Sequence, residues 1–282
     1  MKKTAIITGA SGGMGREITK AVLEAGYEVI MACRNLETAT PIFKHFEKDY
    51  GNSIRLLPVD LASLDTVFAF VEEVKKQYDA IHLLINNAGI LNAKPENSKN
   101  GIEKTVAVNY LGHYILTKLL VPMMKKKSRI VNVVSLTYKY GKIEPDLFAP
   151  VETINYNRFK VYSNSKRALL YFTLDLAEQL RKKEIIVNCS DPGIVNTPII
   201  RLGNSIIDKL CDLFFRPIIK QPKTGASTAI HLALSSDVAS ISGKCFANKK
   251  EAPIKKRTQK STERELLIKL TQELLYAKQI SL

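Results

Sequence analysis

Seven short apolar runs rich in Val and Ile punctuate the chain at residues 4–8, 27–32, 54–58, 82–86, 129–135, 185–190 and 243–247. Strands buried on both faces of a parallel sheet read as such continuous runs. Between them lie longer segments with helical spacing, such as Val67, Phe70, Val71 and Val74, or Ala168, Leu169, Phe172, Leu176 and Leu180. A parallel strand pair needs a crossover, and crossovers are nearly always right-handed, so repeated βα units wind helices over both faces of one sheet. The pattern predicts an α/β fold: a doubly wound, parallel, seven-stranded sheet in a single domain spanning 1–282.

Composition agrees and excludes other classes. Of 282 residues 45% are apolar and 24% charged, the balance of a globular protein able to bury a large core. Lys and Arg outnumber Asp and Glu by 42 to 27, a net +15 that attracts anions and brings nucleic acid into consideration. No basic face interleaved with stacking aromatics is visible, so a nucleic-acid partner is not expected. Cys33, Cys189, Cys211 and Cys245 are far apart, and His45, His82, His113 and His231 show no ligand spacing. Neither a metal site nor a disulfide framework is predicted, which suits the cytoplasm. No apolar stretch is long enough to span a membrane. The opening Met1-Lys2-Lys3 is not a signal peptide, because Thr8, Gly9, Gly12 and Gly13 interrupt the run behind it.

Residues 244–269 carry nine basic and three acidic side chains, 9 − 3 = +6 of the total. Thr262 and Glu265 have capping-box spacing, followed by Leu266, Leu267, Leu270 and Leu274 on one face. A terminal helix over about 260–280 should pack back on the domain; a membrane-surface or partner-binding helix is the alternative.

After the first strand, Thr8-Gly9-Ala10-Ser11-Gly12-Gly13-Met14-Gly15-Arg16 leads into a helical segment. Glycines there permit a tight turn and close backbone approach, so that a pyrophosphate can sit on free N–H groups at the helix start. This is the context of a Rossmann-type dinucleotide site. The second strand ends in Cys33-Arg34-Asn35, where an NAD site would present an acid to the ribose. Arg34 can pair with a 2′-phosphate and Arg16 can add a second cation, so NADP(H) is expected over NAD(H). Asp60-Leu61 after the third strand can offer a carboxylate to the adenine amino group, although Asp before a helix is also a common cap.

Tyr162 and Lys166 stand at i and i+4 on one helical face. A phenol of pKa about 10 is a poor proton shuttle, and a neighbouring cation favours its phenolate. Taken together and in order, Thr8 to Gly15, Asn86-Asn87-Ala88-Gly89, Asn109, Ser135, Tyr162-x-x-x-Lys166 and Pro192-Gly193 resemble the short-chain dehydrogenase/reductase family across essentially the whole chain. More narrowly, residues 32–35, 108–114 and 129–136, the long interval from Ser135 to Tyr162, and residues 242–246 are similar to the retinol dehydrogenase and WW-domain oxidoreductase branch.

The resemblance implies an NADP(H)-dependent oxidoreductase. Tyr162 would be the general acid/base. Lys166 would hold the nicotinamide ribose and lower the tyrosine pKa, Ser135 would orient the carbonyl, and Asn109 would hold a relay water. Gly9, Ser11, Gly12, Gly13, Met14, Gly15, Arg34, Asp60, Leu61, Asn87, Ala88 and Gly89 would line the adenine-ribose-diphosphate side. Pro192, Gly193 and Thr197 would contact the nicotinamide end. Two departures matter: Val134 stands where many relatives have a second serine, and the first strand begins by about Thr4, leaving no room for the N-terminal anchor of the membrane-bound retinol enzymes. Retinoid specificity does not follow.

Residues 193–222 should cover the carboxyl ends of the strands, with Ile206, Ile207, Leu210, Leu213 and Phe214 at helical spacing in a short lid. A small-molecule carbonyl or alcohol, lipophilic in character, is the expected substrate, unless these side chains only cover the sheet or form a dimer contact. A homodimer or homotetramer is compatible with the family. The competing class is a non-catalytic nucleotide-binding protein on the same fold, but such relatives usually lose the Tyr-Lys pair.

Overall fold

A computed structural model describes residues 2–195, 220–259 and 262–282. Its strands are β1 (Thr4–Thr8), β2 (Glu28–Cys33), β3 (Ile54–Pro58), β4 (Ile81–Asn86), β5 (Met124–Val133), β6 (Ile186–Asp191), β7 (Cys245–Ala247) and β8 (Lys250–Glu251). They form one sheet in the order β3-β2-β1-β4-β5-β6-β7-β8. The first seven pair in parallel, as the sequence predicts. The eighth is an addition: β8 returns antiparallel to β7, with Ala247 opposite Lys250. Asn248 and Lys249, both left-handed at φ 51° and 62°, make the two-residue turn. No glycine marks that turn, so the sequence did not advertise it. β5 also begins five residues before the expected start, because Lys125, Lys126 and Lys127 hide its exposed, irregular beginning.

The helices that pack on the sheet or shape the site are α1 (Gly13–Glu24), α2 (Leu36–Tyr50), α3 (Leu64–Gln77), α4 (Lys104–Val106), α5 (His113–Leu120), α6 (Arg158–Leu180), α7 (Pro222–Leu234) and α8 (Thr262–Ala277), with a π-helical turn at Ala107–Gly112 and a further short helix at Lys256–Gln259. Alternate strand residues face opposite layers. Ile6, Ile30, Leu84 and Ile130 pack under α3, α5 and α6, whereas Ile7, Met31, Ile85 and Val131 pack under α1, α2 and α7. Buried amides cross the first layer. Asn86 Nδ2 donates to Thr117 Oγ1 at 2.9 Å and to Asn132 Oδ1 at 2.7 Å, and Asn132 Nδ2 donates to Thr173 Oγ1 at 2.9 Å. These bonds tie β4, β5, α5 and α6 into one register.

The chain reverses direction across the sheet between β1 and β4, which are neighbours. A crevice therefore opens above their carboxyl ends, the general ligand position in such sheets.

The terminal helix packs back on the domain. Leu267, Thr271 and Leu275 are buried, flanked by half-buried Leu266, Leu270 and Leu274. Thr271 Oγ1 hydrogen-bonds the Tyr110 hydroxyl at 2.8 Å, and Arg264 pairs with Asp175 and Glu178. Thr262 is the first helical residue rather than the cap. No helix among the described residues is long and apolar enough to cross a membrane.

Because Leu267 is 1% exposed and Ile268 is 38% exposed, Leu267→Ala should destabilise by about 2–4 kcal/mol and Ile268→Ala by about 0.5 kcal/mol or less. Urea unfolding of the two variants checks the docking of α8. Equal effects would contradict it.

Candidate active site

The turn between β1 and α1 is built so that only glycine serves at two positions. Gly9 is left-handed at φ +62°, and a Cβ on Gly15 would lie 2.1 Å from the Gly9 carbonyl oxygen. α1 starts with no side-chain cap on Gly12 and no acid in its first turn. Its leading N–H groups are thus left for an anion. Arg16 donates Nε to the Ser11 carbonyl at 2.9 Å, so its guanidinium stabilises the turn as well as contributing charge.

A cleft of about 320 Å³ opens beside this turn. Gly9, Ser11, Gly12, Gly13, Met14 and Gly15 form one wall, Arg34 stands at the end of β2, and Asp60 and Leu61 follow β3. Asn87, Ala88 and Gly89 close the side after β4. These residues, singled out from the sequence, converge on one cavity. Arg34 is exposed and has no ion pair among the described residues. One Asp60 oxygen accepts from Ala62 N–H at 3.0 Å, so the carboxylate also caps its own turn. Thr38, Val59 and Ile90 line the cleft too, and no motif announced them; Val108, from the 108–114 stretch, joins them.

Thr8 holds the floor. Its hydroxyl accepts from Asn87 N–H at 2.9 Å and Ala88 N–H at 3.0 Å, while Asn87 Nδ2 donates to the Thr8 carbonyl at 2.9 Å.

α6 brings Tyr162 and Lys166 to the same end of the sheet. Asn157 caps this helix, accepting from Phe159 and Lys160 N–H, each at 3.0 Å. Lys166 Nζ donates to the Val133 carbonyl at 2.9 Å and lies 5.7 Å from the Tyr162 ring centroid. A Cβ on Gly89 would stand 3.3 Å from Lys166 Nζ and 3.4 Å from Asn109 Oδ1, so the three residues meet at one point. Ser135, two residues beyond β5, is close enough to the Tyr162 phenol to lower its pKa and accepts from Thr137 N–H at 3.4 Å.

Burial pushes the Tyr162 phenol up to about 12, against the lowering effect of the Ser135 bond and with a further push from Asp191. Burial alone pushes the Lys166 ammonium down to about 8. Burial dominates the phenol, and the lysine expected to lower it does not figure among the groups that shift it. At neutral pH the pair is phenol and ammonium.

Asn109 sits in the π turn with its amide fully used: Oδ1 accepts from Ile90 N–H at 2.8 Å, and Nδ2 donates to the Ile90 carbonyl at 2.9 Å and to Ser165 Oγ at 3.1 Å. Its backbone carbonyl faces His113 Nδ1 at 3.4 Å. Asp191 was not anticipated. Its Oδ1 accepts from Leu136 N–H at 3.1 Å and Gly193 N–H at 2.9 Å, joining the serine strand end to the Pro192-Gly193 turn. Lys220 Nζ adds a bond to the Pro192 carbonyl at 3.2 Å. Thr197 and most of the 193–222 segment lie outside the described residues, and no metal-ligand cluster occurs among those described.

Residues 3–205 match the short chain dehydrogenase family. The chain belongs to that family. It is 35% identical over 286 residues to retinol dehydrogenase 14 of Homo sapiens, covering 94% of this chain and 84% of that protein. Retinol dehydrogenase 13 of Homo sapiens is 30% identical, covering 94% and 82%. Among solved structures, a blue fluorescent protein from a metagenomic library in complex with NADPH superposes with TM-score 0.69 at 25% identity, covering 87% of this chain and 95% of that one. A protein from Mycobacterium Paratuberculosis reaches TM-score 0.76 at 24% identity, covering 97% and 93%. This family member is an NAD(P)-dependent dehydrogenase/reductase acting on CH–OH or C=O groups.

A testable consequence follows from the buried ammonium. Lys166 ionises near 8 folded against 10.5 for the free side chain, a destabilisation of about 3 kcal/mol below pH 8 that disappears between about pH 8 and 10.5. Lys166→Met removes it but strands the Val133 carbonyl, so stability without cofactor should rise by about 1–2 kcal/mol at pH 7. Denaturant midpoints at pH 7 and above 10 check this, with the gain vanishing at the higher pH.

Proposed function

We propose that this dehydrogenase uses NADP(H) in preference to NAD(H) and acts on a lipophilic ketone, aldehyde or secondary alcohol. The observation that carries the cofactor reading is Arg34: an exposed guanidinium at the end of β2, lining the cleft, where a carboxylate would disfavour a 2′-phosphate. The glycine turn fits the diphosphate, since Gly9 and Gly15 let the backbone fold tightly on itself and the first N–H groups of α1 carry no side-chain cap. Asp60, Leu61, Asn87, Ala88 and Gly89 would flank the adenine and its ribose, and Pro192, Gly193 and Thr197 the nicotinamide end. When bound, the cofactor supplies or accepts the hydride.

The rest of the chemistry falls to this chain's side chains. Negative charge grows on a carbonyl oxygen as its carbon is reduced, and Ser135 and Tyr162 stand together to meet it. Tyr162, protonated at neutral pH, donates the proton; in the oxidative direction the same oxygen receives it. Lys166 offers N–H donors beyond its bond to Val133, suited to ribose hydroxyls that enter the same dry corner. Proton supply from solvent would pass a water held by Asn109. Exposed Leu136 and Ile194, beside Ser135 and Gly193, support an apolar substrate.

Fluorescence titration with NADPH and NADH tests the cofactor. Arg34→Glu should weaken NADPH binding by about 10- to 100-fold while NADH changes by about threefold or less. Equal effects on both nucleotides would remove the 2′-phosphate contact. With a panel of long-chain aldehydes, aryl ketones and glycolaldehyde, Tyr162→Phe should lower kcat by about 10²- to 10⁴-fold with NADPH binding preserved. Faster turnover of the small polar aldehyde would exclude the lipophilic reading.

A further inference from the structure

His113 is fully buried, opens α5 directly after the π turn, and touches both halves of the site. Its Nε2 lies 3.0 Å from Thr8 Oγ1 and its Nδ1 lies 3.4 Å from the Asn109 carbonyl oxygen. The position of its proton follows from counting. Thr8 Oγ1 accepts from Asn87 N–H at 2.9 Å and Ala88 N–H at 3.0 Å, which fills the two lone pairs of a hydroxyl. Thr8 must therefore donate its own proton, and His113 Nε2 at 3.0 Å is better placed to accept it than the Ile85 carbonyl at 3.5 Å. Nε2 then carries no hydrogen. In a neutral imidazole the proton is on Nδ1, which faces Asn109. Burial, with the Lys166 charge acting in the same direction, pushes His113 down to about 3 and keeps the ring neutral.

The π turn gives this donor a task. The backbone N–H of His113 bonds to Tyr110 rather than Asn109, so the imidazole takes up a position at the Asn109 carbonyl that an α-helix would give to that N–H. At 3.4 Å the contact orients more than it binds. The Asn109 amide in turn spans Ile90 and Ser165, and Ser165 Oγ donates to the Tyr162 carbonyl at 2.7 Å.

We propose that His113 is a positioning residue for the redox reaction: its Nδ1–H fixes the carbonyl face of the π turn and thereby sets Asn109 beside Lys166, while its Nε2 braces the same turn against Thr8 and the cleft floor. The kinetic consequence rests on the reading of the site given above; the tautomer does not.

Two substitutions separate the nitrogens. His113→Asn places an amide nitrogen where Nδ1 sits, and His113→Gln places an amide oxygen where Nε2 sits, with nothing for Asn109. In the full-length protein, long-range proton–nitrogen NMR of the wild type should show hydrogen on Nδ1 and no titration between about pH 5 and 9. His113→Gln should lower kcat about tenfold and displace the pH–kcat profile, with NADPH Kd and aldehyde KM within about threefold, and His113→Asn should recover most of the loss. Substrate is the aldehyde of the panel that turns over fastest. Hydrogen on Nε2, a titrating ring, or equal kcat for the two variants would overturn the assignment. A wild type that binds NADPH but reduces no carbonyl would retire the redox reading, and the NMR result would still decide the His113 bonds.

Discussion

An ammonium ion held away from water, with one backbone carbonyl as its hydrogen-bond partner among the described residues, sets the terms for the rest of this molecule. Lys166 is 3% exposed and donates to the Val133 carbonyl. A hydrophobic side chain would pack there at lower cost, so the position stores instability that a ligand with hydroxyl groups can relieve. The surroundings keep the ion in place. α6 is anchored by its Asn157 cap and by Thr173, which joins the amide ladder through β5 and β4. Gly89, lacking a side chain, leaves the space in front of the ammonium open.

The second requirement is that strand ends which are distant in sequence stay in register. Thr8, Asn87 and Ala88 share three hydrogen bonds across the β1–β4 boundary, and Asp191 joins Leu136 to Gly193 across the β5–β6 boundary. The cleft and the Tyr162 pair thereby sit on one rigid sheet rather than on independent loops. Two hydrophobic layers clamp that sheet, which is why the site geometry depends on the alternation of Ile and Val along each strand.

Much of this was legible in the chain. The glycine turn, Arg34 and the Tyr162–Lys166 spacing were readable because each job admits few residue types at a fixed offset, and the resemblance joined them into one site. The seven parallel strands were readable because double burial leaves continuous apolar runs. Other features were hidden for physical reasons. β8 depends on two left-handed residues that carry no glycine, and the start of β5 is lysine-rich. Asp191, His113 and Ser165 draw their meaning from partners 55 or more residues away, or from a local π turn, neither of which leaves a periodic signal. The ionisation of Tyr162 runs opposite to what its neighbouring lysine suggests, because burial is a property of the whole fold.

On the proposed function, Lys166 waits, poorly solvated, for hydroxyl partners brought by the cofactor. Calorimetric titration of the protein with NADPH in two buffers of different ionisation enthalpy reads the protons exchanged on binding. Gaining partners raises the Lys166 pKa from its value near 8, so wild type should take up as much as about half a proton per site at pH 8, with uptake growing between about pH 7 and 8. Proton-neutral binding across that range would contradict the account.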